Sequence, residues 1–160
     1  NEKDSKGISW TKAYTPWKFK EDAQDANRGT VAKIDMFWWK GYKSYDATWD
    51  YDKVANEYKR STGGIPHEDI GTNTQLSAKN VVVQFVKETG PVDGHKHMLY
   101  ETIGTGDALI FMDGQSVEGT WSKKTRTSRT IFKDDKGKEI IFNPGVIWIE
   151  AIPKGNAVTY

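Results

Sequence analysis

The chain has 160 residues, enough for one domain with a sizeable core, and its formal net charge of +1 gives no global pull toward nucleic acid or an anionic surface. It contains no cysteine, which excludes a thiol nucleophile and a cysteine-ligated metal. Hydrophobic residues make up only 36% of it, yet there are seven tryptophans, so the expected core is built from a few large rings rather than many aliphatics.

The first residues, Asn1-Glu2-Lys3-Asp4, are polar and read as the interior of a longer protein; no apolar run in the chain approaches the length of a membrane-spanning helix. Residues 1–28 form an expected arm or linker that docks through Trp10, Tyr14, Trp17 and Phe19, and residues 29–160 the β domain proper. Within the arm, 21–27 has room for one helical turn, ended by Gly29. Residues 30–39 read as a strand. After Lys40-Gly41 a second begins, in which Tyr45, Ala47, Trp49 and Tyr51 alternate with Ser44, Asp46, Thr48 and Asp50, a period of two. The two runs are expected to pair as a hairpin. Residues 52–60 read either as a short helix capped by Asp52 or as extended chain with Tyr58 and Arg60 on one side. Residues 61–75, with Gly63, Gly64, Pro66 and Gly71, read as loop. The chain returns to strand over 76–87, turns over 88–94, and extends again over 95–103.

Two hairpin signals follow. Ala108 to Met112 is apolar and runs into Asp113-Gly114, the pair that a type I′ turn favours because both central residues need positive φ. On the return strand Val117 and Trp121 point one way, and Ser116, Glu118 and Thr120 the other. The second hairpin is centred on Asp134-Asp135-Lys136-Gly137, with Gly137 placed for a left-handed bulge position. Asn143-Pro144-Gly145 reads as a turn, and 146–152 as a central strand buried on both faces, with Trp148 at the core's centre and Glu150 the one interruption. The total is seven or eight strands with at most one or two short helices. The expected class is mainly β (α+β in formal terms), an antiparallel bent sheet, sandwich or barrel.

Chemistry-bearing residues are sparse. Arg60, in a Tyr-x-Arg beside the glycine-rich segment, has a fork that suits a carboxylate or phosphate, or an internal ion pair with a nearby aspartate. His67 and Asp69, two apart, have the reach for a ligand, a metal or a substrate proton; the reading with more behind it is a surface loop with local backbone bonds. Asn80 opens an apolar strand with an amide that can reach back to that loop. These four, Arg60, His67, Asp69 and Asn80, are the candidate ligand site. Lys123, Lys124, Arg126 and Arg129 form a basic run that reads as an anion-binding loop or as a solvated, aggregation-blocking edge. His95-Lys96-His97 reads as an exposed pair rather than a metal site, and no metal or cofactor is expected. No catalytic residue is assigned, since no nucleophile elbow, zinc-protease helix or phosphate loop is present.

Several stretches together carry a family resemblance. They are Trp49-Asp50-Tyr51-Asp52 followed by Tyr58-Lys59-Arg60; Gly64-Ile65-Pro66-His67; Leu76 through Gln84; Gly104 through Phe111; Gly119-Thr120-Trp121; and Phe142-Asn143-Pro144-Gly145 through Glu150. In order and spacing, from about Trp17 to Pro153, the chain resembles the C-terminal domain of the YerB-like bacterial lipoprotein family (DUF3048). The resemblance implies a lipid-anchored parent on the extracellular face of the bacterial membrane, with an upstream anchor cysteine and an N-terminal domain that this chain lacks. It implies no biochemical activity. The expected function is therefore a non-catalytic ligand- or protein-binding domain of a cell-envelope lipoprotein. The expected partners are an unidentified small ligand or protein and the N-terminal domain of the same parent. Nucleic acid is not expected, and the membrane only through the anchor. The rival expectation is an envelope-polymer hydrolase using Arg60, His67 and Asp69, and a third is polyanion binding through the 123–129 loop.

Overall fold

The computed structural model describes residues 15–160. In chain order its strands are β1 (Lys18–Phe19), β2 (Lys33–Met36), β3 (Ala47–Asp52), β4 (Glu57–Thr62), β5 (Ile65–Pro66), β6 (Glu68–Asp69), β7 (Thr74–Gln75) and β8 (Ser77–Ala78). They continue with β9 (Asn80–Thr89), β10 (Leu99–Glu101), β11 (Gly104–Met112), β12 (Gln115–Lys123), β13 (Ile131–Asp134), β14 (Ile141–Phe142), β15 (Ile147–Pro153) and β16 (Val158–Thr159). The described helical segments are two 3-10 turns, Asp25–Asn27 and Lys43–Tyr45.

The chain is mainly β, and its sheets do not close into a barrel. One six-stranded sheet runs β16-β2-β3-β4-β5, with β8 also on β4; the other runs β10-β9-β11-β12-β13, with β15 also on β9. They pack face to face. Ile34, Met36, Trp49 and Tyr58 from the first meet Val81, Val83, Phe111 and Ile152 from the second. The far face of the second sheet is covered as well, because Val82, Val86, Ile110, Trp121 and Phe132 pack with Phe142 and Trp17. Burying each of these large apolar side chains contributes about 2 kcal/mol. Over residues 81–86 strand β9 is therefore wet on neither side, and the run of three valines that follows Asn80 is what such a strand needs.

Both hairpin signals hold. Asp113 and Gly114 take φ of 54° and 66°, and Met112 faces Gln115 across a two-residue turn. Gly137 sits at φ 77° and donates its N–H to the Asp134 carbonyl at 3.0 Å. The arm docks through Trp17, whose ring packs edge-on against Phe142 at 5.6 Å, while Lys18–Phe19 pairs in parallel with Ile141–Phe142. Phe19 itself faces solvent, and Trp10 and Tyr14 lie outside the described residues.

Several expectations change. Strand β15 is not central: among the described residues it pairs with β9 alone, in parallel, and the central strand is β9. Val146 is exposed and Trp148 only half-buried, at the rim of the inter-sheet core. The ring at the centre is Trp49, fully buried, with Trp148 packed edge-on against it at 5.4 Å. Strand β15 tolerates that rim position because Glu150, on the same face as Trp148, has to meet a cation rather than a hydrocarbon wall.

Of the two readings of residues 52–60, the extended one holds. Asp52 does cap, but it caps a tight turn, accepting from the Val54 and Ala55 N–H groups, and β4 returns antiparallel to β3. Residues 61–75 are short ladders rather than open loop. Gly63 and Gly64, at φ 58° and 80°, make the two-residue turn that pairs Thr62 with Ile65. The strand count is correspondingly higher than seven or eight, because several ladders are only two residues long.

Candidate functional site

Strand β4 places Arg60 between the two sheets, where it is 8% exposed. Its Nε donates to Glu150 Oε1 on β15 at 3.0 Å, so the pair ties one sheet to the other. Its Nη1 donates to Thr62 Oγ1 and approaches His67 Nδ1 at 2.5 Å. An arginine N–H can only donate, so His67 Nδ1 accepts and the ring proton sits on Nε2. The guanidinium carbon lies 5.1 Å from the Trp148 ring centre and 5.8 Å from that of Trp49, within cation–π range of both. Of the two readings of Arg60 in the sequence, the internal ion pair is present, with Glu150 rather than an aspartate near Trp49 as its partner.

The other two candidates sit apart. Asp69 is exposed and spends Oδ1 on the Thr72 N–H and hydroxyl across the β6–β7 turn, bonds that hold its carboxyl below the usual carboxylate range. Asn80 is fully buried at the start of β9. Its amide donates to the Asn143 carbonyl at 2.9 Å and its oxygen accepts from the Asn143 N–H at 2.9 Å, so it clamps the turn before β15 rather than the 61–75 segment. The structure thus brings Arg60 and His67 together, adds Thr62 and Glu150, and leaves Asp69 and Asn80 elsewhere. Acid–base hydrolysis through Arg60, His67 and Asp69 would need the three to converge. The carboxylate that does meet Arg60 is already bound to it, which suits holding a geometry rather than moving a proton.

In the basic run, Lys123 donates to the Ser128 carbonyl and Arg129 to Glu139 at 2.5 Å. Lys124 and Arg126 remain exposed on a turn closed by Thr125 and Ser128.

A second polar cluster, at the Asp113 turn, escapes a sequence reading. Asp113 is 5% exposed and accepts from Lys20 Nζ at 2.6 Å, Asn143 Nδ2 at 2.6 Å and Asn56 Nδ2 at 2.8 Å, and from the Ala23 N–H. Burial pushes its carboxyl up, but the bonds from Lys20, Asn56, Asn143 and Ala23 outweigh that and bring it down to about 2. Its partners come from the arm, the β3–β4 turn and the turn before β15, and only the folded register of these separate segments brings them together.

The remaining feature is the connection between β2 and β3, residues 37–46. It carries Phe37, Trp38, Trp39, Tyr42 and Tyr45 with Lys40 and Lys43, and no acid before Asp46. Both ends are fixed. Asn156 Nδ2 donates to the Phe37 and Trp38 carbonyls at 3.0 and 2.6 Å, the Phe37 N–H to the Ala157 carbonyl, and the Gly63 N–H to the Asp46 carbonyl at 2.8 Å. The last of these seats the Gly63-Gly64 turn against the segment so tightly that a Cβ on Gly63 would meet the Ser44 carbonyl oxygen at 2.9 Å. Trp38 packs inward on the core, and Trp39 meets Tyr45 edge-to-face at 5.1 Å. In the sequence the cluster of five rings is plain, but a strand reading of 30–39 hides it in a presumed core.

A family model described as the C-terminal domain of a protein of unknown function (DUF3048) matches residues 34–149, from inside β2 to inside β15, and so takes in both sheets. The Bacillus subtilis (strain 168) protein named "Putative lipoprotein YerB" is 28% identical over 162 residues, covering 98% of this chain and 46% of that protein. The crystal structure of YerB from Bacillus subtilis matches with a TM-score of 0.72 at 21% identity, over 91% of this chain and 47% of that one. The chain spans about half the length of these relatives, and the structural likeness establishes the shared fold.

Proposed function

The chain belongs to the DUF3048 family as its C-terminal domain, and from that premise we propose that it is a non-catalytic binding domain of a bacterial cell-envelope lipoprotein, carried on the extracellular face of the membrane. The observation that carries the reading is the surface built where the Gly63-Gly64 turn seats against residues 37–46. It presents Phe37, Trp39, Tyr42, Tyr45 and Ile65, all exposed, on a backbone anchored at both ends. Rings already held in place lose little freedom on contact, which favours binding. Arg60, bound to Glu150, ties strand β4, from which the Gly63-Gly64 turn leaves, to the second sheet. The lipoprotein name of the relative supports the envelope setting.

The test is site-specific photo-crosslinking of the parent protein in its native host. A photoreactive residue replacing Tyr42 or Ile65 gives adducts, and one replacing Lys136, exposed on the turn that follows β13, does not. Equal adducts at all three positions, or none at 42 and 65, would refute the reading.

A further inference from the structure

We propose that residues 37–45 form a membrane-interface contact: a rigid aromatic knob with two lysines that rests on an anionic phospholipid surface. The proposal rests on the binding surface assigned above and names its partner. Exposure separates these rings from ordinary core residues. Phe37 is 44% exposed, Trp39 39%, Tyr42 62% and Tyr45 54%, and all four fall within nine residues. Soluble surfaces seldom collect apolar area in this way, and such clusters mark contact sites.

The kind of partner follows from three features. First, Trp39 and Tyr45 are edge-to-face with 79° between planes, and Tyr42 and Tyr45 lie at 58°. The rings make a knob rather than a flat platform, so they do not offer the coplanar face on which a planar or ring-shaped ligand would stack. Second, the exposed set is dominated by Trp and Tyr, amphipathic rings suited to headgroup depth, where one end is apolar and the other wet. Third, the charge is one-sided. Lys40 and Lys43 are exposed between the rings, and residues 37–45 contain no acid. The acid that follows, Asp46, turns Oδ1 inward to accept from the Trp38 N–H. Two lysines with no ion-pair partner among the described residues, set among interfacial rings, complement an anionic lipid surface, whereas the chain as a whole, at +1, does not. For a lipid-anchored parent, the contact would set the domain's orientation on the bilayer, since the tether already supplies a high local concentration of membrane.

The experiment is co-sedimentation of the purified chain with sucrose-loaded vesicles, made of phosphatidylcholine alone or with phosphatidylglycerol added. The chain is expected to pellet with the phosphatidylglycerol vesicles, less as salt is raised, and little with phosphatidylcholine alone. Tyr42→Ser, at the most exposed ring, and Trp39→Ser/Tyr45→Ser should each lower partitioning, with thermal unfolding of each variant recorded alongside. Lys40→Glu/Lys43→Glu should lower it about tenfold or more, given the usual attraction per lysine. Lys124→Glu/Arg126→Glu makes the same change in net charge on the other exposed basic turn and should leave partitioning unaltered. The proposal is overturned if the wild-type chain ignores phosphatidylglycerol vesicles, if Tyr42→Ser binds as well as wild type, or if the Lys124/Arg126 variant loses as much as the Lys40/Lys43 variant. Protein adducts at position 42 in cells combined with no vesicle binding would remove the bilayer as partner and keep the binding surface; no adducts and no vesicle binding would remove both.

Discussion

Replacing Arg60 with leucine is the sharpest test of how the two sheets are joined. Arg60 and Glu150 have side chains only 9% and 8% exposed, and the Nε–Oε1 bond of 3.0 Å is the ion pair that bridges β4 and β15. Arg60→Leu leaves Glu150 as a buried carboxylate without its cation, an arrangement that costs about 3–5 kcal/mol. It also removes the cation–π contacts with Trp49 and Trp148, worth about 1 kcal/mol or more where water is excluded. Substituting both partners removes the orphaned charge, and replacing a buried pair with hydrocarbon is often close to neutral. Arg60→Leu/Glu150→Leu is therefore expected to be more stable than Arg60→Leu alone, with a coupling energy of about 2–3 kcal/mol. Thr62 and His67 also lose their shared donor, so the double variant should stay somewhat below wild type. Urea unfolding followed by tryptophan fluorescence measures all four corners of the cycle, and equal m-values confirm that the unfolded states compare. A cost below about 1 kcal/mol for Arg60→Leu, or a double variant as unstable as the sum of the singles, would refute this account.

Asp113, held at about 2 against an ordinary 3.8, is depressed in the folded chain, so its contribution is complete above about pH 4 and is lost as pH falls through its folded value. That contribution is about 2 kcal/mol, and Asp113→Asn should flatten the acid limb of a stability–pH profile between pH 4 and 2. Tyr58 buries a hydroxyl with no hydrogen-bond partner among the described residues, so Tyr58→Phe should leave stability unchanged or raise it by up to about 1 kcal/mol in the same urea assay. Trp49→Ala should cost about 3–5 kcal/mol and more than Trp148→Ala, because Trp49 is enclosed and Trp148 lies at the rim. Asp69→Ala should cost under about 1 kcal/mol by thermal unfolding, since it loosens one exposed turn; a larger loss would make the β6–β7 hairpin part of the core.

Much of the architecture is legible because its signals are local. Asp113-Gly114 names its own turn, and the alternation from Ala47 to Tyr51 names its own strand. The short ladders in 61–75 are legible only in part: Gly63-Gly64 is a turn signal, but two flanking residues on each side are too few for an apolar period to show. The misplacement of β15 has a different cause. A nearly unbroken apolar run says that both faces are covered, not that both edges are paired. Strand β9, in the middle, and β15, at the edge, are both covered on both faces, so they read alike in sequence.

Site residues are harder, because a polar side chain's partner lies far along the chain. Arg60 meets Glu150 across 90 residues, and Asn80 meets Asn143 across 63. Asn80 and Glu150 stand out in the sequence as polar residues in apolar runs, and that signal is sound, since a buried polar group must be paired. What it leaves open is whether the pairing is internal or reserved for a ligand. For Asn80 and Asp113 every observed bond is internal, and they fasten turns and the arm. The rings of 37–45 invert the problem: apolar side chains that ought to be inside stand outside on an anchored backbone. Internal bonds explain the folded position of Arg60, Asn80 and Asp113 completely. Contacts among the described residues leave the faces of Trp39, Tyr42 and Tyr45 exposed, and that asymmetry is why we propose the aromatic knob, and not the buried polar pairs, as the contact surface.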